Sequence, residues 1–303
     1  MVTGRFAPSP TGPLHTGSLV AAVGSWLVAR SCGGRWLLRI DDLDGPRCRR
    51  EFEDDILLAL ERFGLCWDGK ITRQSDNITA YVEAFERLRE MGAVYSCSCS
   101  RAEIARSSSA PHPGEEVPYP GTCRSGLAAG REPRAWRLRT EGATVSFDDL
   151  RHGPITHNFA NNGDFVVKRA EGFFAYQLAV VVDDYLTGVN QVVRGDDLLD
   201  STPRQMLLHQ LLGWPLPVYC HLPLVTGPGG VKLSKRDNTV SLADGRVDGK
   251  EPELLLASLR FLGVRVPQEL TGASCTELLL WAASVFSQDQ LPQISASSFS
   301  AAA

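Results

Sequence analysis

No apolar run in the chain approaches the length of a membrane span. Met1-Val2-Thr3-Gly4 leads straight into the first motif with no signal-like stretch, so the expectation is a cytoplasmic protein with no membrane partner. Internal repeats are absent, and so is an excess of one charge sign. The 31 Lys and Arg against 35 Asp and Glu leave a formal net charge of −4. That balance argues against a protein that coats nucleic acid through bulk charge, although it leaves room for a local basic patch. A disulfide framework is not expected either, because eight cysteines in 303 residues without a secretory signal should be mostly free thiols. A closely spaced group of them then becomes a metal candidate. What is present is ordinary globular composition, 43% hydrophobic and 22% charged, with enough chain for one large or two smaller domains.

The first ninety residues alternate strand and helix signals. Gly4 to Ala7 reads as a short strand ending at Pro8, and Ser18 to Arg30 as a helix stopping at Gly33-Gly34. Trp36 to Ile40 is a buried strand running into Asp41-Asp42. Two amphipathic helices follow, the first marked by Phe52, Ile56 and Leu60, the second by Ile78, Tyr81, Val82, Phe85 and Leu88. Strands alternating with helices predict an α/β fold with a parallel sheet. The rhythm breaks over 97–164, a stretch rich in Ser, Pro, Gly and Arg that reads as an insertion with strand-like pieces near Trp136 and Val145. It resumes over 165–245, with a helix through Tyr176, strands at 189–193 and 218–225, and a helix over 202–212. The segment 246–303 carries two more helices and a Ser/Ala-rich tail expected to fray.

Three separated pieces carry chemistry. Pro10-Thr11-Gly12-Pro13-Leu14-His15-Thr16-Gly17-Ser18 lies between a strand and a helix. There Gly12 and Gly17 let a nucleotide approach the backbone, His15 can donate to phosphate, and the helix directs its positive end at the same place. Near the other end, Lys232-Leu233-Ser234-Lys235-Arg236 follows a glycine-rich turn, a loop suited to closing over a triphosphate. Between them stand Ala175-Tyr176, Asp183-Asp184 and Val193-Arg194-Gly195-Asp196-Asp197. In an open parallel sheet the ligand crevice lies at the carboxyl ends of the strands, where Arg5, Asp41 and Arg194 would fall. Each piece alone is also satisfied by an ordinary capped loop or a solvated charged turn.

Together they resemble class I aminoacyl-tRNA synthetases, which carry an HxGS loop near the start and a KLSKR-type loop near the end of a split nucleotide-binding fold. RFAPSPTGPLHTGSL is similar to the opening of the glutamyl subgroup, and RIDDLD, AYQLAVVVDD, VVRGDDLLDST and KLSKR follow in that subgroup's order over about residues 3–263. The resemblance implies a class I, Rossmann-type parallel sheet split by a zinc-binding-type insertion and followed by a short helical region. Only 67 residues follow Arg236, so the long anticodon-binding half of glutamyl-tRNA synthetases is not expected. That shortened plan resembles the glutamyl-queuosine tRNA(Asp) synthetase family. The implied function is ATP-dependent activation of L-glutamate to glutamyl-adenylate and transfer to queuosine in the anticodon loop of tRNA(Asp). Charging of a tRNA 3′ end and a tRNA-independent adenylate-forming ligase are the alternatives.

Residue by residue, the resemblance implies that His15, Lys232 and Lys235 are catalytic, with Mg²⁺ on the phosphates. ATP would contact Gly12, His15, Gly17, Ser18, Lys232, Ser234 and Lys235. Glutamate would lie against Arg5, Phe6, Ala7, Pro8, Ser9, Asp41, Tyr176 and Arg194, with Arg5 offering a fork for its side-chain carboxylate. Asp41 departs from the glutamate usual at that position, which puts its contact with the substrate ammonium in question. In the insertion, Cys97, Cys99 and Cys123 could supply three ligands of a structural Zn²⁺ site. Ligand chemistry points to His112 as the fourth, whereas the family's CxC and YxxxC pattern points to Tyr119. Cys32, Cys48, Cys66, Cys220 and Cys275 are isolated and read as packing residues. Seven arginines between Arg101 and Thr140 (101, 106, 124, 131, 134, 137, 139), with Arg47, Arg49 and Arg50, form the candidate tRNA phosphate footprint. A monomer is expected.

Overall fold

The computed structural model describes residues 1–107, 118–160, 163–169, 171–226, 242, 248–292 and 296–298. His112, the Arg106 side chain and the loop carrying Lys232, Ser234 and Lys235 lie outside the described residues. In chain order the elements are β1 (Thr3–Phe6), α1 (Thr16–Ser31), β2 (Arg35–Ile40), α2 (Arg50–Arg62), β3 (Thr72–Arg73), α3 (Ile78–Glu90) and β4 (Val94–Cys97). Next come α4 (Arg101–Ser107), β5 (Ala135–Leu138), β6 (Thr144–Asp149), β7 (Gly153–Asn158) and β8 (Val166–Arg169). They are followed by α5 (Tyr176–Leu186), β9 (Gln191–Gly195), α6 (Ser201–Leu212), β10 (Val218–Leu222) and β11 (Leu224–Thr226). Last are α7 (Glu251–Phe261), α8 (Cys275–Val285) and β12 (Ala296–Ser298).

The apolar strands read from the sequence form two parallel blocks, β1-β2-β3 and β9-β10-β6, with β7 antiparallel at the end of the second. The blocks meet where Asn190 N donates to Thr3 O at 3.1 Å and Thr3 N donates to Asn190 Oδ1 at 2.8 Å. β1 therefore runs beside β9, and the carboxyl ends of β1, β2, β9 and β10 share one rim. One core joins α1, α2, α7 and α8 through Leu27, Leu60, Leu259 and Leu278. The other joins α3, α5 and α6 through Phe85, Leu178 and Leu208. Helices on both faces bury the strands from water, which is why these strands read as continuous apolar runs.

Two features differ from the expectation. Residues 97–164 are not a single separate insertion, because β6 joins the main sheet beside β10. Its inward positions, Val145 and Asp149, are buried while its neighbours are not, so a period-two pattern was present but short. The β4-β5-β8 antiparallel sheet also packs on the second core through Val94, Leu138 and Val167, and the part built apart is the small cluster of Tyr95, Cys97, Tyr119 and Cys123. The Ser/Ala-rich tail is not wholly frayed either, since Ala296–Ser298 pairs in parallel with Leu224–Thr226. Backbone hydrogen bonding needs no apolar signal, so composition hid that pairing.

Candidate active site

The N-terminal loop is shaped by its own histidine. His15 is the N-cap of α1, and its Nδ1 accepts from Gly17 N at 3.1 Å and Ser18 N at 3.4 Å. A neutral ring used this way carries its proton on Nε2, so the remaining nitrogen is a donor suited to a phosphate oxygen. Glycine at 17 leaves space for this fold-back, because a Cβ there would press on the ring at 3.1 Å from His15 Cε1. The glycine thus makes room for the histidine ring while its backbone also lines the cavity described below.

Around this loop the strand ends enclose a cavity of about 370 Å³. Arg5, Phe6, Ala7, Pro8, Ser9, Gly12, His15, Gly17, Ser18, Asp41, Tyr176 and Arg194 all line it. Val225 of β11 forms part of the wall, and Leu242 N donates to Leu14 O at 2.9 Å.

The sequence reading did not connect the charges beneath this cavity. Asp184 Oδ1 accepts from Arg5 Nε at 3.0 Å and from Arg39 Nη1 at 2.6 Å. Arg39 Nε also donates to Asp41 Oδ1 at 2.7 Å. Asp183 accepts from Gln74 and Asn77 at 2.8 Å and from Tyr81 at 2.7 Å. All five charged groups are buried. Burial pushes the Asp184 carboxyl up, but Arg5 and Arg39 outweigh it and hold the group below its ordinary value. For Asp41 burial wins over Arg39, and its carboxyl is pushed up to about 6. Asp42 plays no part here and instead accepts from Ser75 N at 2.8 Å and Ser75 Oγ at 2.6 Å. AYQLAVVVDD carried the signal for this network, since two adjacent acids closing an apolar helical run must be paired to be buried.

A second cavity of about 510 Å³ shares Ser9, Asp41 and Tyr176 with the first. Its far wall holds Arg47, Arg101, Arg169, Glu171, Phe173 and Phe174. Phe173 is 49% exposed, unusual for a residue of its size. Arg101 and Arg47 were among the arginines read as a phosphate footprint. Arg47 is itself paired with Asp44 while still facing this cavity, and others in that set are engaged away from it. Arg124 pairs with buried Asp164 at 2.5 Å, Arg137 is buried over the Tyr119 ring at 3.9 Å, and Arg139 covers Tyr95 at 4.7 Å. Arg131 pairs with Glu103 at 2.6 Å and Arg49 with Glu51 at 3.1 Å, whereas Arg50 and Arg134 are exposed. A charge count overestimates the patch because it cannot see these partners.

The sulfur ligands of Cys97, Cys99 and Cys123 lie within 4.8 Å of one another. The Tyr119 hydroxyl is 3.3 Å from Cys97 Sγ and 3.7 Å from Cys99 Sγ. Burial raises the Cys123 thiol, but hydrogen bonds from Tyr119 and Ser98 bring it down to about 7. Arg137 Nε donates to Cys97 Sγ at 3.4 Å, a cation placed to offset excess negative charge on a thiolate set. The donors fit a small cation that takes sulfur-rich tetrahedral coordination, such as Zn²⁺. Of the isolated cysteines, Cys220 and Cys275 are buried, but Cys32 and Cys66 are exposed and do not act as packing residues.

Among the described residues no helix is long and apolar enough to cross a membrane. Residues 1–277 match the family described as tRNA synthetases class I (E and Q), catalytic domain. A glutamyl-Q tRNA(Asp) synthetase of Geobacter sulfurreducens is 58% identical over 298 residues, covering 97% of this chain and 95% of that protein. The Dechloromonas aromatica protein of the same name is 50% identical over 96% of this chain and 95% of its own length. Among solved structures, a glutamate tRNA ligase from Elizabethkingia meningosepticum, in complex with its amino acid, superposes with a TM-score of 0.80 at 25% identity. It covers 99% of this chain and 67% of that one. The chain is a class I synthetase-type ligase and belongs to the glutamyl-Q tRNA(Asp) synthetase family.

Proposed function

We propose that the protein activates L-glutamate with ATP and transfers it to the queuosine of tRNA(Asp). The observation that carries this reading is the pair of cavities sharing Ser9, Asp41 and Tyr176. In the first, a glutamate carboxylate oxygen attacks the α-phosphorus of ATP and pyrophosphate leaves. His15 Nε2–H is placed to offset the charge that grows at the α-phosphoryl oxygens; the family resemblance assigns Lys232 and Lys235 to the same task, and Mg²⁺ would supply further positive charge on the phosphates. Gly12, Gly17 and Ser18 line the cavity that receives the nucleotide, and the family resemblance assigns Ser234 to the same ligand. Arg5, anchored by Asp184 through Nε, presents its guanidinium to the substrate's side-chain carboxylate, and Arg194 binds the α-carboxylate. Asp41 receives the ammonium despite its shorter side chain, helped by its buried position against the backbone of Pro8.

In the second cavity, Phe173 and Tyr176 offer faces on which an unstacked anticodon base can lie, and Arg47, Arg101 and Arg169 offer charge to its phosphates. A hydroxyl of the cyclopentenediol then attacks the glutamyl carbonyl across the shared wall, releasing AMP and a proton. A Zn²⁺ held by Cys97, Cys99, Cys123 and Tyr119 would brace the β4 end of this wall, and it would supply no chemistry to the reaction. The protein is read as a cytoplasmic monomer. Incubation with ATP, glutamate and queuosine-containing tRNA(Asp), then digestion to nucleosides and mass spectrometry, tests the reading. A glutamyl ester on queuosine supports it, and unmodified queuosine alongside active pyrophosphate exchange contradicts it.

A further inference from the structure

Arg194 is held by a chain of groups that begins outside the cavity, in β6. Its Nη1 donates to Gln205 Oε1 at 2.8 Å, its Nη2 to Thr202 Oγ1 at 2.7 Å, and its Nε to His221 Nε2 at 3.3 Å. Thr202 Oγ1 lies 2.9 Å from the same His221 nitrogen, and His221 Nδ1 lies 2.7 Å from Asp149 Oδ2. Asp149, Arg194, Thr202, Gln205 and His221 are all buried.

The ends of this chain set its polarity. Asp149 is an acceptor: burial raises its carboxyl, but the hydrogen bonds from His221 and from backbone N–H groups outweigh that and hold it low. Nδ1 of His221 must therefore carry the proton. Burial disfavours a charged ring, so Nε2 keeps its lone pair. That lone pair accepts from the Thr202 hydroxyl and from Arg194 Nε, while the Thr202 oxygen accepts from Arg194 Nη2. Only this tautomer gives Arg194 Nε an acceptor, and it leaves the second N–H of Nη1 and of Nη2 for a ligand. None of these three groups lines the cavity, yet they orient the guanidinium that does.

We infer that Asp149, His221 and Thr202 form a positioning chain that aims Arg194, and so sets the affinity for the amino-acid substrate; the inference rests on Arg194 belonging to the amino-acid pocket. Asp149→Asn keeps an acceptor for the backbone but can donate to Nδ1, which moves the histidine proton to Nε2 and sets donor against donor at Arg194. In ATP–pyrophosphate exchange, run with and without tRNA, this variant should raise the KM for glutamate at least tenfold and leave the KM for ATP within twofold. Thr202→Val should shift the same constant in the same direction. In an Arg194→Lys background, Asp149→Asn should add less than threefold, because its effect passes through Arg194.

If Arg194→Lys leaves the glutamate KM unchanged, the assignment of Arg194 to the amino-acid pocket fails. If Arg194→Lys raises it but Asp149→Asn and Thr202→Val do not, the assignment survives and the positioning chain is refuted. A parallel rise in both KM values, or full additivity in the double variant, also refutes the chain by exposing a general structural effect.

Discussion

Asp184→Asn removes one charge from the floor of the amino-acid cavity while keeping the side chain's shape. The carboxylate accepts from two buried guanidiniums, Arg5 at 3.0 Å and Arg39 at 2.6 Å. At an effective dielectric near 20, each contact is worth about 6 kcal/mol of attraction. Burying three ions offsets much of that, and breaking such a buried cluster costs about 3–5 kcal/mol. An amide oxygen still accepts one hydrogen bond, so the lower end, about 3 kcal/mol, is the expected loss at neutral pH. The sign of the pH dependence follows from the depressed carboxyl. Its stabilisation is complete above the unfolded value of 3.8 and is lost as pH falls through the lower folded value. The difference between wild type and variant should therefore be full at pH 7 and shrink in strong acid. Urea unfolding followed by circular dichroism measures it, and pyrophosphate exchange should show a raised glutamate KM because Arg5 loses its anchor. A loss below about 1 kcal/mol with an unchanged glutamate KM would refute the view that this carboxylate organises the site.

His15→Asn keeps an acceptor for the α1 N-terminus but loses the Nε2 donor. Exchange should fall about 10²–10³-fold with little change in unfolding, whereas a fall of less than tenfold would remove His15 from the transition state. Because Asp41 loses its proton only near pH 6, the glutamate KM should rise as pH drops from 6 to 5 and level off above 7. A flat profile over pH 5–7 would show that Asp41 does not meet the ammonium. Native mass spectrometry should find one Zn²⁺ per chain, lost in Cys99→Ser with Cys123→Ser. Chelation should increase proteolysis between β4 and β5 before exchange declines. Unchanged proteolysis after metal loss would contradict a bracing role.

The sequence made the local parts of this account readable. Helical periodicity over 50–62 and 78–90, the strand before Pro8 and the stop at Gly33 all depend on neighbours a few residues apart. The motifs were equally plain, and residues from those within the described structure line one cavity because strand carboxyl ends converge in an open parallel sheet. What stayed hidden is non-local. Arg39 meets Asp184 across 145 positions and His221 meets Asp149 across 72, and no spacing rule connects such pairs. The same blindness made Arg124 and Arg137 look like phosphate ligands when Asp164 and the Tyr119 ring already hold them. The space Gly17 leaves for the His15 ring is equally hidden, because it depends on where that ring folds.

Labelled glutamate, supplied with ATP to three purified RNAs, tests the central claim most directly. The RNAs are tRNA(Asp) with queuosine, tRNA(Asp) from cells unable to make queuosine, and tRNA(Glu). The account predicts label on the first alone. Label on tRNA(Glu) would contradict it in favour of 3′-end charging, and label on none, with pyrophosphate exchange intact, would contradict it in favour of an adenylate-forming ligase with another acceptor.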